Sequence, residues 1–276
     1  MNNKAKIYKN SFSYKNILKM SNKNALIQGI KVIPREITFP IAKFLSEEEV
    51  KEYQARIKSE YKNNPLVLDS LDVLSFNEIL DEPIGSNFWA LAKLTSMGIK
   101  PASTKTLDIL IETNPDTLKG NYEDVLALVL RSPKDVYSTN NPIIKNLISQ
   151  LKKRNKERTI KYPVLISGGL QPVEGQTNYG LVAKLSDKTK VYFNVRELAY
   201  ENNLKKFNRV DERGVPVFDE NGERTFYAKN SGLSGLCLGG GLDLYSPWGS
   251  LADSCSDGRV VVEVGEANAQ KFFYKN

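Results

Sequence analysis

The spacing of apolar residues changes character partway along the chain. In the first half it follows a helical period. Ser46-Glu-Glu-Glu49 has the form of a capping box, and Val50, Tyr53, Ile57 and Tyr61 behind it fall on one helical face. Ser86 is placed to cap a second helix carrying Phe88, Trp89, Leu91 and Leu94, which Gly98 would end. Weaker helical patterns run from Leu71 to Leu80 and from Ser103 to Glu112. Asn141-Pro142 reads as an N-cap followed by an N1 proline, ahead of a stripe of Ile144, Leu147, Ile148 and Leu151. Lys152, Lys153 and Arg154 suit the negative end of that helix.

Beyond about residue 160 the period becomes two. Tyr162 to Ser167 reads as a strand. Leu181 to Leu185 and Lys190 to Val195 flank Ser186-Asp-Lys-Thr189, which predicts a hairpin. Val215 to Phe218 and Arg224 to Ala228 flank Asp219-Glu-Asn-Gly222, which predicts a second. Val260 to Val264 is a final strand, while Val125 to Leu130 fits a strand or a helix equally. Helices first and strands later predict an α+β fold.

Histidine is absent. It is the usual general base near neutral pH and the commonest metal ligand, so Ser-His-Asp triads, Cys-His pairs and His-containing zinc sites are excluded. Cys237 and Cys255 are the only cysteines. They do not form a CxxC pair, and a single bridge between them is left open. The net charge of +7 is unevenly placed. Before Glu36 stand Lys4, Lys6, Lys9, Lys15, Lys19, Lys23, Lys31 and Arg35 and no acid, leaving a nearly neutral body. Such an arm (residues 1–35) could dock on a polyanion or an anionic surface. The plainer reading is a solvated tail that packs on its own domain through Ile7, Tyr8, Phe12, Tyr14, Ile17 and Leu18. No long apolar run is present and no secretory leader is expected, so neither a membrane span nor export by a cleaved signal is expected.

Motifs that would carry catalysis are incomplete. Gly232 to Gly241 is glycine-rich but lacks the lysine of a phosphate loop, and no helical pattern follows it. Asp253-Ser-Cys-Ser-Asp-Gly258 lacks the downstream glutamate of a calcium loop. Glu47 to Glu49 compensate a helix dipole, and Asp219 and Glu220 lie in a predicted turn. No enzyme activity, metal or cofactor is expected.

The segment from Gly235 to Arg259 stands apart. Leu236, Leu238, Leu242 and Leu244 alternate with Cys237, Gly239, Asp243 and Tyr245, which directs the leucines into a core and their neighbours outward. Further on, Ser246, Leu251, Ala252, Ser254 and Ser256 interleave with Pro247, Gly249, Ser250, Asp253, Cys255 and Asp257. Strand interiors avoid glycine, proline and aspartate, yet here these crowd the outward positions.

The stretch GLSGLCLGGGLDLYSPWGSLADSCSDGRVVVEV resembles the variable region of proteins diversified by retroelements in archaea and their viruses. YPVLISGGLQPVEGQTNYGLVAKLSDKTKVYF and FDENGERTFYAKNSGLSGL extend the resemblance over roughly residues 120–265. Diversity-generating retroelements copy a template with errors confined to adenines. The resemblance implies a C-type lectin fold in the C-terminal half, preceded by a mostly helical region, with the varied residues on one exposed face.

The genetic code offers an independent check. Randomising the adenines of an Asn codon never yields Trp, Met, Lys, Gln or Glu. Between Gly235 and Asp257 none of these occurs except Trp248, which is therefore expected to be scaffold or to come from another template codon. The resulting ligand-binding set is Gly235, Cys237, Gly239, Gly240, Gly241, Asp243, Tyr245, Pro247, Trp248, Gly249, Ser250, Asp253, Cys255 and Asp257. The scaffold set is Leu236, Leu238, Leu242, Leu244, Leu251 and Arg259, with Arg259 expected to pair internally with a carboxylate. Four segments are expected: a basic arm (1–45), a helical region (46–118), a lectin-like variable domain (119–267) and a tail (268–276). The expected function is recognition of variable partners, each a protein or cell-surface ligand, by a monomer. The reverse transcriptase would act on the gene and not on the protein, and nucleic acid is not the expected partner.

Overall fold

The computed structural model describes residues 38–268, apart from 156–158, 248 and 255. The basic arm of residues 1–35 and the end of the tail lie outside the described residues. Strand β1 (Thr38–Phe44) leads directly into helix α1 (Glu47–Glu60). The capping box forms as its sequence predicts. Glu49 N–H donates to Ser46 Oγ at 3.2 Å and Ser46 N–H to Glu49 Oε2 at 2.8 Å. Val50, Tyr53 and Ile57 are the buried stripe.

Helix α2 (Pro65–Leu71) ends where a helix was expected to begin. Leu71 to Leu80 is instead the exit from α2 and the first arm of a hairpin, β2 (Ser75–Asn77) and β3 (Glu82–Ile84). Asn77 decides this: its side-chain oxygen accepts from the N–H groups of Ile79 and Leu80, offering the backbone a turn in place of a helix. Helix α3 (Phe88–Ser96) is capped by Asn87, which accepts from Ala90 N–H at 2.8 Å, and not by Ser86. Gly98, at φ +87°, turns the chain after it. Strand β4 (Lys100–Pro101) and helix α4 (Thr104–Thr113) follow, the helix capped by Ser103.

The undecided stretch is strand β5 (Tyr122–Leu130). It reads as continuously apolar because both its faces are covered. Leu126, Leu128 and Leu130 enter one core, and Val125, Ala127 and Val129 the other. Next come helix α5 (Asn141–Arg154) and strands β6 (Val164–Ser167), β7 (Leu170–Glu174), β8 (Leu181–Leu185), β9 (Lys190–Tyr192), β10 (Lys206–Val210), β11 (Pro216–Phe218), β12 (Arg224–Ala228), β13 (Leu233–Leu238), β14 (Leu244–Ser246), β15 (Gly258–Arg259) and β16 (Val261–Asn268).

The main sheet runs β11-β10-β12-β14-β13-β5-β6-β9, with β15 paired to β5; a small sheet runs β1-β16-β4. Most neighbours in the main sheet are antiparallel, but β12–β14 and β5–β15 are parallel. Neither expected hairpin closes on itself. Strand β8 pairs with β7 and β9 with β6, because Gly168 and Gly169, both at positive φ, fold β7 away from β6 first. Strands β11 and β12 both pair with β10, which lies between them. Only Phe207 and Val210 of β10 are buried, too few apolar positions to announce a strand.

One core packs α1, α2, α3 and α5 against the sheet, so Val50, Trp89 and Leu91 share it with Leu128, Ile166, Leu233 and Leu251. Residues 46–118 and the later strands thus form one body. The second core joins Leu107 of α4 to Phe207, Phe226, Leu236, Leu238 and Leu244 on the opposite face. This is an α+β arrangement, with the strands concentrated in the C-terminal half. No described helix is long and apolar enough to cross a membrane.

A candidate ligand-binding cleft on strands β13 and β14

Alternation on β13 works as the sequence implies. Leu236 and Leu238 go under the sheet into the second core, while Gly235, Cys237 and Gly239 turn to the other face. On that face a bulge interrupts the pairing of β13 with β5. Gly235 lies opposite Leu128 but Leu236 lies opposite Val125, so Leu126 and Ala127 of β5 have no partner on β13. Past this point Cys237 is flanked by Asp124 of β5 and Tyr245 of β14.

A cleft of about 340 Å³ opens here. Its floor is Asp124, Cys237 and Gly239, and Tyr122, Tyr245 and Pro247 stand around it. Ser250, Asp253, Ser254 and Asp257 form the far wall. Nine of the expected ligand-binding positions therefore share one cleft: Gly235, Cys237, Gly239, Gly240, Tyr245, Pro247, Ser250, Asp253 and Asp257.

Three others sit elsewhere. Gly241 is exposed at the β13–β14 turn. Asp243 is not displayed for a ligand, because its carboxylate accepts from Thr225 N–H at 2.5 Å and ties β14 to β12. Gly249 packs beside Lys229 and Tyr137, and its carbonyl accepts from Asn140 at 2.6 Å. Trp248 and Cys255 lie outside the described residues. The two-residue alternation also stops at Ser246. Ser254 and Ser256, expected to face inward, are exposed, since the described residues between β14 and β15 form no ladder that would fix their period.

The scaffold residues are all buried. Leu236, Leu238, Leu242 and Leu244 belong to the second core, whereas Leu251 reaches the first. Arg259 lies over the Phe44 ring and contacts Glu82 and Glu123, each at 3.4 Å, the internal carboxylate pairing its sequence suggested.

Side chains from outside the segment hold its backbone. The Asn87 amide donates to the carbonyl of Ala252 at 3.1 Å and Asn140 to that of Gly249. Arg131 donates to the carbonyl of Ser246 at 3.3 Å and Arg224 to that of Leu242 at 2.7 Å. The Tyr179 hydroxyl accepts from Leu251 N–H at 3.2 Å. Each of these bonds ends on a main-chain atom, so it does not depend on which side chain occupies the anchored position. Asn140 is itself held by Asp135, which binds Lys229 at 2.6 Å and accepts from the N–H groups of Leu233 and Tyr137.

The floor is electrostatically unusual. Burial pushes the Asp124 carboxyl up to about 7 against the opposing pull of the nearby Ser86 hydroxyl, and its Oδ2 is buried without a well-formed hydrogen bond among the described residues. Burial likewise carries neighbouring Glu123 to about 7, against the opposing pull of Arg259. Cys237 is a buried free thiol, pushed well up by burial and by Asp124 and Glu123, and so a poor nucleophile. Tyr245 stacks on Tyr227 at 4.5 Å between centroids, with the rings 6° apart. Among the described residues no three Cys, Asp or Glu side chains converge as a metal-binding group.

Sequence reasoning missed Asp124, Tyr122 and Ser254. The stretch YEDVLALVL carries no mark separating Asp124 from any polar residue that opens a strand. Only the register of β5 against β13 brings it beneath Cys237. Comparison of the chain with protein-family models, with curated proteins and with solved structures gave no match.

Proposed function

We propose that this is a ligand-binding protein, not an enzyme, whose diversified surface at residues 235–257 recognises variable protein or cell-surface partners. Its C-terminal half is read as a C-type lectin-like domain of the kind that retroelements diversify. The observation that carries this is a division of labour. Nine sequence-chosen positions line one cleft, while the backbone beneath them is anchored by Asn87, Arg131, Asn140, Tyr179 and Arg224 from other elements. A binding surface can then change its side chains without losing its frame, which is the logic of a paratope. Tyr245, Tyr122 and Pro247 supply the rigid apolar contact that binding hot spots favour.

The test is a displayed library in which Gly235, Cys237, Tyr245, Pro247, Ser250, Asp253 and Asp257 are randomised together. Most members are expected to fold, with melting temperatures within about 4 °C of the parent, a loss near 1 kcal/mol. Selection against unrelated protein targets is expected to yield binders. A library that is mostly unfolded would overturn the reading.

A further inference from the structure

Among the described residues the charges of the cleft are all of one sign: Asp124, Asp253 and Asp257 line it and no described lysine or arginine does. Nearby cations are engaged elsewhere: Lys229 with Asp135, and Arg259 with Glu82 and Glu123. At the bottom lies Asp124, whose Oδ2 is buried beside the Ser86 hydroxyl without a well-formed hydrogen bond among the described residues, and the cleft above it is large enough for a side chain. A buried acceptor without a donor is costly unless something supplies one. Tyr122 and Tyr245 offer ring surfaces to the methylene stem of an entering group.

We propose that this cleft receives the basic side chain of a protein partner, its ammonium or guanidinium group donating to Asp124 while Asp253 and Asp257 draw it in from the rim. The inference rests on the ligand-binding reading above and names the chemistry of what that surface holds in this copy. Selectivity follows from desolvation. A neutral group leaves the carboxylate uncompensated, an anion meets three aspartates, and a cation with several N–H donors satisfies the floor.

Recognition should also depend on pH. The groups facing Asp124 are Glu123 beside it, Cys237 across the ladder, Ser86 before α3, and Tyr122, Tyr245, Asp253 and Asp257 around the opening. None is cationic, so Asp124 keeps its proton to about 7 until a cation arrives. Binding of the cation displaces that proton, and affinity rises as pH climbs toward 8 and then levels.

The experiment uses the full chain and two probes, n-butylammonium and n-propylguanidinium, the side-chain ends of lysine and arginine, with n-butanol as neutral control. Amide resonances of residues 122–124, 237 and 245 report binding. Saturable shifts are expected from the cations and not from n-butanol, with affinity higher at about pH 8 than at about pH 5.5. Asp124→Asn should weaken binding about tenfold or more and remove the pH dependence. Should that variant fold poorly, Asp253→Asn with Asp257→Asn, on the exposed rim, should weaken binding and flatten its salt dependence. Equal shifts from n-butanol, or binding unchanged by Asp124→Asn, would overturn the proposal. If the cations fail to bind while library variants still capture protein targets, the cation site falls and the diversified surface stands. If the cations bind Asp124 but no library member folds, the reverse holds.

Discussion

The ring of Tyr245 occupies the space that a side chain at position 239 would need: a Cβ on Gly239 would lie 2.4 Å from Tyr245 Cε2. Two positions in the same cleft are therefore not independent. A side chain at 239 requires the ring to move, and moving it breaks the stack on Tyr227. Gly239→Ala should cost on the order of 1 kcal/mol, the worth of an aromatic pair. In a Tyr245→Ala background the same change should cost almost nothing. Urea unfolding of the single and double variants measures the coupling, and strictly additive losses would refute this packing.

The scaffold and the cleft should separate cleanly by stability. Leu236→Ala and Leu244→Ala remove fully buried side chains and should cost about 2–5 kcal/mol. Asp253→Ala and Asp257→Ala change exposed side chains on the cleft wall and should fall within about 0.5 kcal/mol of the parent. Asn140→Ala belongs with the leucines despite being polar. It strips a donor from the carbonyls of Gly249 and Leu233 and from Asp135, and should cost about 1–3 kcal/mol or more. Thermal melts with matched far-UV spectra decide the matter; equal losses in both groups would end the distinction.

What was readable in the chain was local. The capping box at Ser46 and the leucine alternation on β13 depend on neighbours a few residues apart and appear where expected, and so does the helix at Asn141, although its cap position is Asn140 while the Asn141 side chain bonds the backbone of Asp135. What failed was pairing at a distance. Arg224 to Ala228 has the right turn before it, yet its partner is β10, a strand too polar to recognise. The cleft was legible as a set of positions but not as a volume, because Asp124 enters through the bulge of β5. Ser254 was misassigned because a period of two was carried into a loop.

Asp243 is a predicted contact residue whose side chain the structure moves into the frame. Its carboxylate satisfies Thr225 N–H, and Gly239 N–H donates to its carbonyl. Asp243→Ala should cost about 1–3 kcal/mol, with Asp243→Asn recovering part of the loss through its remaining acceptor oxygen. Partner or probe affinity should be unchanged per folded molecule. Chemical denaturation checks the first expectation and titration of the folded variants the second. A variant of parental stability with altered affinity would return Asp243 to the binding surface.

Stability should be greatest in mildly acidic solution, for reasons that can be followed group by group. Burial raises Asp124 from an ordinary 3.8 and Glu123 from 4.5, each to about 7. Unfolded, both ionise near pH 4; folded, they hold their protons to about 7. Between those limits the native state binds more protons, so stability falls as pH climbs, and the penalty is complete above about 7. Asp135 acts oppositely. Burial opposes its ionisation, but Lys229, Asn140 and the N–H groups of Leu233 and Tyr137 outweigh burial and hold it below its ordinary value. Its contribution is present above the ordinary carboxylate range and is lost as pH drops beneath it. Asp124→Asn should therefore match the parent near pH 4 and exceed it above pH 7, by up to a few kcal/mol at about 1.4 kcal/mol per pKa unit. Urea unfolding at about pH 4, 5.5, 7 and 8.5 gives both curves. A parental curve that rises between pH 4 and 7, parallel to the variant's, would show that the Asp124 carboxyl is solvated and that the floor of the cleft is not the buried acceptor described above.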